Sequence, residues 1–539
     1  MSPSCQYELT EIIPTTNGPI RGFVSDGMRQ FLGIPYASPP TGELRWRPPV
    51  APIAWEEPLE SVSFGNVCAQ HTPSFPGFGH TSYTEDCLYL NVFTPAHSRR
   101  EPEGSKKLPV MAFIHGGGFS SGASNDYNPI RLVNDGNVVF VSLNYRVNIF
   151  GFFSHPAINA EDHPSGNYGI LDQQFALTWI QRNIEVFGGD ATNVTIFGES
   201  AGGASVMAHM VSPGSIGLFH KVIIQSGGSP PTMPFPTIES LEKQGIGLAS
   251  AAGCKEQIPR QLRLIATKDI MAADALPDDT FGLGKFPFGL MEDGEVVPKS
   301  LREKFSTGQF SRVPMIIGVN RDEFSWFQAM IELRSGKVVS ADFYPQILTD
   351  TIDLLNTLHL NGVIVPSDAI SQVLELYPAG SHPSASRALA AAIGDAGLIS
   401  TAGRRTTRVM AQHVTEVYAY EFDVPDSPSP WPEVSFPYGS AHTIELQYLF
   451  PLFRGGSGKA QPLTDSQQQL ARQMVHYWTT FAHRGTPNFV DDSAKRVSPS
   501  HWLAYKAKDD NIMLLCTPTP HMTNEWGVRH NSDFWDSFY

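Results

Sequence analysis

Short, mostly apolar runs punctuate the middle and end of the chain: Pro109 to Ile114, Val138 to Leu143, Val194 to Phe197, Lys221 to Gln225, Val313 to Val319 and Val417 to Phe422. Runs of Val, Ile and Phe without polar alternation read as strands buried on both faces, the condition inside a parallel sheet. Helical stretches separate them. One such helix is expected over Asp172 to Phe187, where Phe175, Trp179, Val186 and Phe187 lie near one face. Alternation of this kind predicts an α/β fold with a mostly parallel central sheet and helices on both faces. Residues 238–310 and 341–391 lean helical and lack sheet-core runs. They are expected to be helical insertions over the C-terminal edge of the sheet, where such folds bind ligands. The Pro- and Gly-rich first hundred residues hold β-like runs at Ile20 to Val24 and Gln30 to Ile34. A late helix should start at Thr464, with Gln467 completing a capping box. Its stripe of Leu470, Met474, Tyr477, Trp478 and Phe481 reads as core. With no internal repeat and no low-complexity linker, residues 1–539 read as one domain.

Composition narrows the function classes. The chain has 539 residues, of which 41% are hydrophobic and 17% charged, with a net charge of −15. High apolar content and sparse charge exclude a mainly disordered protein. Net acidity argues against nucleic acid as a partner, because phosphate binding needs a basic footprint. No apolar stretch is long enough to span a bilayer, and the N-terminus shows no secretory signal. The expectation is therefore cytoplasmic, with a small-molecule partner and the oligomeric state open. The five cysteines match no zinc spacing. Cys68 and Cys87 could close a loop or remain two buried thiols. The Asn193-Val194-Thr195 sequon falls in a predicted buried strand and is discounted.

The most informative segment is Asn193 to Met210, NVTIFGESAGGASVMAHM. An apolar β-branched run leads into Gly198-Glu199-Ser200-Ala201-Gly202 and then into a small-residue helix. This is G-x-S-x-G in the strand–turn–helix context that exposes a nucleophilic serine. A serine hydroxyl needs a base and a site for the developing oxyanion. His115-Gly116-Gly117-Gly118-Phe119 follows the strand Pro109 to Ile114 and can present consecutive backbone N–H groups to such an oxygen.

These motifs, with EDCLYLNVF at Glu85 to Phe93, NYRVNIFGF at Asn144 to Phe152 and NYGILDQQFALTWIQRNIEVFGGD at Asn167 to Asp190, resemble the type-B carboxylesterase/cholinesterase family of α/β-hydrolases. The resemblance runs from about Ile20 to Trp535. It implies an α/β-hydrolase fold, ester hydrolysis and no metal or organic cofactor. It assigns Ser200 as nucleophile, Glu323 as the triad acid and His442 as the base, with Asp322 the rival acid. The implied oxyanion hole is the backbone of Gly117, Gly118 and Ala201, and Glu199 matches a carboxylate near the site. Arg45 with Glu85 and Arg146 with Asp172 resemble family ion pairs, and Cys68 with Cys87 its first disulfide. Cys254 matches the start of a second bridge for which no partner cysteine follows nearby.

One departure bears on substrate. Choline-preferring members carry a Trp shortly before EDCLYLN, whereas HTPSFPGFGHTSYTEDC offers Phe75, Phe78 and Tyr83. Without the strongest cation–π partner, uncharged apolar esters are expected. Phe119, Phe286, Phe288, Trp326 and Phe327 are candidate lining residues for the acyl or alcohol pocket. Acyl transfer, or lactone or thioester processing on the same triad, is the alternative. A cholinesterase-like binding protein without activity is a third reading.

Overall fold

The computed structural model describes residues 8–71, 80–96, 107–164, 166–228, 235–273, 289–358, 362–456, 458–488 and 500–539. Its strands are β1 (Glu8–Pro14), β2 (Pro19–Ser25), β3 (Met28–Pro35), β4 (Leu59–Glu60), β5 (Tyr89–Pro95), β6 (Leu108–Ile114) and β7 (Val139–Leu143). They continue as β8 (Gly189–Glu199), β9 (Lys221–Gln225), β10 (Met315–Asn320), β11 (Val417–Phe422), β12 (Ile512–Leu515) and β13 (His521–Thr523). All belong to one sheet in the order β1-β2-β3-β5-β7-β6-β8-β9-β10-β11-β12-β13, with β4 beside β2. From β7 through β12 every neighbour is parallel. The edges β1-β2-β3-β5-β7 and β12-β13 are antiparallel.

Strand residues alternate between two cores. Val110, Ala112 and Ile114 of β6 face one cluster, and Met111 and Phe113 face the other. The helices Tyr168–Asn183 and Ala201–Val211 cover the first face. Helix Asp465–Arg484 covers the second, with its Leu470, Met474, Tyr477, Trp478 and Phe481 stripe buried. Its capping box of Thr464 and Gln467 is formed. The expected helix over Asp172 to Phe187 instead begins at Tyr168 and is α-helical only to Asn183. Ile184–Phe187 tightens into a 3₁₀ turn before Gly188, whose φ of 88° ends it. That change of pitch turns Val186 outward, so it is exposed rather than on the apolar face.

Residues 238–310 contain the helices Ile238–Ala251, Pro259–Leu264, Thr267–Ala273 and Leu301–Ser306, and residues 341–391 contain Tyr344–Leu358 and Ile370–Leu376. Helix Ala385–Ile393 packs on Glu323–Ser335, the helix that opens just past the C-terminal end of β10. Buried pairs pin the loops around this edge. Arg146 meets Asp172 through two bonds of 2.8 and 2.7 Å, and Arg45 Nε meets Glu85 Oε2 at 2.7 Å. Cys68 and Cys87 form a disulfide, and Cys254 is a free thiol. No helix among the described residues is long and apolar enough to cross a membrane.

Candidate active site

β8 ends at Glu199, and Ser200 turns the chain into helix Ala201–Val211 with φ 58° and ψ −125°. A side-chain-bearing residue at positive φ stores backbone strain of roughly 1–3 kcal/mol, which surrounding packing must hold in place. The packing here is tight. A Cβ at Gly202 would stand 2.0 Å from the carbonyl oxygen of Ile114, so only glycine lets the helix start so close to β6. Ser200 is thereby lifted off the sheet edge at the positive end of a helix.

Two loops meet it from β10 and from the segment after β11. Ser200 Oγ lies 2.8 Å from His442 Nε2, and His442 Nδ1 lies 2.5 Å from Glu323 Oε2. The other Glu323 oxygen accepts the Asn320 N–H at 2.7 Å, which fixes the carboxylate's rotation. Both loops are stitched together by backbone: the Asp322 N–H donates to the Ser440 carbonyl at 3.0 Å, and the His442 N–H donates to that of Glu323 at 3.3 Å. Asp322 is turned elsewhere. Its Oδ1 pairs with Arg387 and its Oδ2 accepts the Ser440 N–H at 2.9 Å.

The glycine loop after β6 lies against the same serine. A Cβ at Gly116 would stand 2.7 Å from the Glu199 carbonyl oxygen and 3.1 Å from Ser200 Cβ. Gly117 follows with φ 106°, a backbone conformation that side chains rarely adopt, and Gly118 with φ 62°. The segment carrying the Gly117 and Gly118 N–H groups thus runs beside Ser200 and the first helical residue, Ala201. A serine hydroxyl, an imidazole, a carboxylate and a glycine loop so arranged suit acyl transfer.

Residues 9–535 match the model of the carboxylesterase family. The chain belongs to that family. It is 33% identical to acylcarnitine hydrolase of Mus musculus, across 89% of this chain and 84% of that protein. It is 31% identical to para-nitrobenzyl esterase of Bacillus subtilis (strain 168), across 94% of each. Acetylcholinesterase of Bungarus fasciatus is 32% identical, across 98% of this chain and 86% of its own length. A solved PNB esterase structure superposes with a TM-score of 0.75 at 27% identity, covering 98% of this chain and 99% of the other. The chain is a carboxylic ester hydrolase with the α/β-hydrolase fold.

The electrostatics of this carboxylesterase are set by buried carboxylates around one imidazole. Burial alone lowers the His442 pKa. Glu199, Glu323 and Glu445 outweigh it and raise the group to about 9. Glu199 Oε1 is 3.3 Å from His442 Nε2. Burial pushes Glu199 well above the usual carboxylate range, with Glu445 and Glu323 adding to the push and His442 opposing it. Burial likewise raises Glu445 to about 7, against its bond from Asn320. Glu445 accepts the Asn320 side-chain N–H at 2.6 Å and that of Gln225 at 3.0 Å. Glu445 and Asn320 lie in the segments GSAHTIELQYLF and GVNRDEFSWF that carry His442 and Glu323, yet the sequence assigns neither a role. The signal was a lone acid three residues past the histidine in an otherwise apolar stretch, which is also what a solvated loop residue looks like.

The aromatic candidates separate. Phe327 is half-buried, and its ring centre lies 5.1 Å from that of His442. Trp326 lies in the core cluster, its ring 6.0 Å from Trp431 and 6.2 Å from His442. Phe119 is buried edge-on against Phe152 at 5.1 Å. Tyr83 is exposed. Phe75, Phe78, Phe286 and Phe288 lie outside the described residues.

Proposed function

We propose that Ser200 is the nucleophile, His442 the general base and Glu323 the orienting acid of a two-step ester hydrolysis. Ser200 Oγ bonds to the ester carbonyl carbon as its proton passes to His442 Nε2. The carbonyl oxygen becomes negative within reach of the Gly117, Gly118 and Ala201 N–H groups. The C–O bond to the alcohol then breaks, and His442 returns the proton to the leaving oxygen. Water, deprotonated by the same imidazole, cleaves the acyl-enzyme and releases the acid. The observation that carries this reading is the continuous hydrogen-bonded line Ser200–His442–Glu323. Its test is a fluorophosphonate probe, expected to label one site, Ser200, and to leave Ser200→Ala unlabelled. Labelling elsewhere would move the nucleophile.

The substrates proposed are uncharged esters with apolar acyl groups. Relatives' names span a nitrobenzyl ester, acylcarnitine and acetylcholine, so family membership leaves the alcohol open. The absence of Trp between His71 and Cys87 and the apolar Phe327 ring beside His442 favour the uncharged class. Cytoplasmic residence is proposed on the sparse cysteines and on a sequon, Asn193-Val194-Thr195, that falls within strand β8. The Cys68–Cys87 bridge is of a kind that oxidising compartments keep, and cell fractionation decides between the two.

A further inference from the structure

Behind the catalytic acid lies a cavity of about 420 Å³, within the size range of small-molecule sites. Asp322 and Glu323 form part of its wall, and neither Ser200 nor His442 does. Its acids have their oxygens occupied. Asp322 holds Arg387 and the Ser440 N–H. Glu323 holds the Asn320 N–H and His442. Asp395 holds His530 at 2.5 Å and the Tyr377 hydroxyl at 2.9 Å. His530 is used at both nitrogens, the second facing Glu421.

The guanidiniums are in the opposite condition. The Arg321 guanidinium donates from Nη1 to Asp423 and from neither of its other nitrogens to a protein acceptor among the described residues. Of the Arg387 guanidinium nitrogens, only Nη2 donates to an acceptor among the described residues. Arg529 donates from Nε to Glu421 and from Nη2 to Asp423, which leaves Nη1. The cavity therefore brings three guanidiniums, each with N–H donors that no protein acceptor among the described residues uses, beside carboxylates whose oxygens each already accept a hydrogen bond. A guanidinium fork matches two coplanar oxygens. Phe324, Leu376, Ala390 and Ala391 supply an apolar wall beside these donors, which inorganic anions would not use.

We propose that this cavity is a second binding site, for a small organic carboxylate of the class that ester cleavage releases. The choice of ligand rests on the hydrolase reading above. The site itself does not. The test is calorimetric titration of butyrate into protein whose Ser200 carries a long-chain alkylphosphonate, which fills the acyl pocket. Failure of the label to attach would count against the hydrolase reading, separately from the titration. One saturable butyrate site is expected. It should be weakened about fivefold or more by Arg321→Gln and lost in Arg321→Glu, both at a half-exposed position whose change spares the core. Absence of saturable binding up to tens of millimolar, or binding indifferent to both substitutions, would overturn the proposal. Inorganic phosphate binding as tightly as butyrate would overturn the organic carboxylate assignment.

Discussion

Asp322 and Glu323 adjoin in the chain, yet their carboxylates serve opposite sides of one loop. Glu323 Oε2 meets His442 Nδ1 at 2.5 Å, while Asp322 is taken up by Arg387 and the Ser440 N–H. Glu323→Gln is therefore expected to lower kcat by about 10⁴, because an amide cannot stabilise the imidazolium and favours the wrong tautomer. Asp322→Asn should instead cost roughly 1–3 kcal/mol of stability, with a much smaller loss of turnover. Steady-state kinetics and thermal melts on both variants check this. A larger kinetic loss in Asp322→Asn would reverse the assignment.

The pH profile follows from the charge around His442. The reaction needs the neutral imidazole, and the surrounding carboxylates raise the group to about 9. For the free enzyme, kcat/KM should thus climb from neutral pH and level off above about 9. Glu199→Gln removes a carboxyl group 3.3 Å from Nε2 whose charged form raises the His442 pKa, although burial favours its neutral form. The imidazolium is then held less firmly, and the limb should move to lower pH. A limb that stays in place, or moves to higher pH, would show that Glu199 carries no charge that His442 feels.

Acyl esters without charge should be turned over with better kcat/KM than choline esters of equal acyl length. Cation–π contact is worth roughly 0.5–2 kcal/mol, and each buried methylene about 0.8 kcal/mol. The comparison is p-nitrophenyl acetate through octanoate for chain length, and acetylcholine against its 3,3-dimethylbutyl isostere for charge. A tenfold preference for the choline ester would assign a cation site to the aromatic residues of 71–87.

The Cys68–Cys87 bridge closes a sequence separation of 19, and it leads straight into β5. Chain-entropy reasoning gives about 3 kcal/mol for a loop of this size. A Cys68→Ala, Cys87→Ala double variant should melt several degrees lower than the oxidised protein. An unchanged melting temperature would mean that the loop is ordered without its bridge.

Legibility in the sequence followed burial. β9 and β11 stand where continuous apolar runs put them, and β6, β7 and β10 differ only by a residue or two at their ends. Two-sided burial leaves little choice of residue in such strands. β8 extends from Gly189 to Glu199, well beyond Val194 to Phe197, because its first half, where only Gly189 pairs with β6 before a register shift, keeps polar residues. The edge strands β1 and β13 were not anticipated, since partly exposed strands carry no continuous apolar run, and β12, though buried and apolar, is only four residues long. The Ser200 elbow and the glycine loop were legible because their geometry excludes side chains at fixed positions. Glu445 and Asn320 were not, because a buried polar network is defined by what faces it from distant segments.

The line from Ser200 through His442 to Glu323 joins residues separated by 242 and 119 positions, mounted beyond β8, β10 and β11, which come to the same side of the sheet only once it is assembled. Long-range pairing of this kind makes folding slow relative to local helix formation. During refolding, helical signal should therefore return well before esterase activity does. No fragment ending before His442 can carry the activity, whatever structure it holds. Recovered turnover is in this sense a sensor of complete topology.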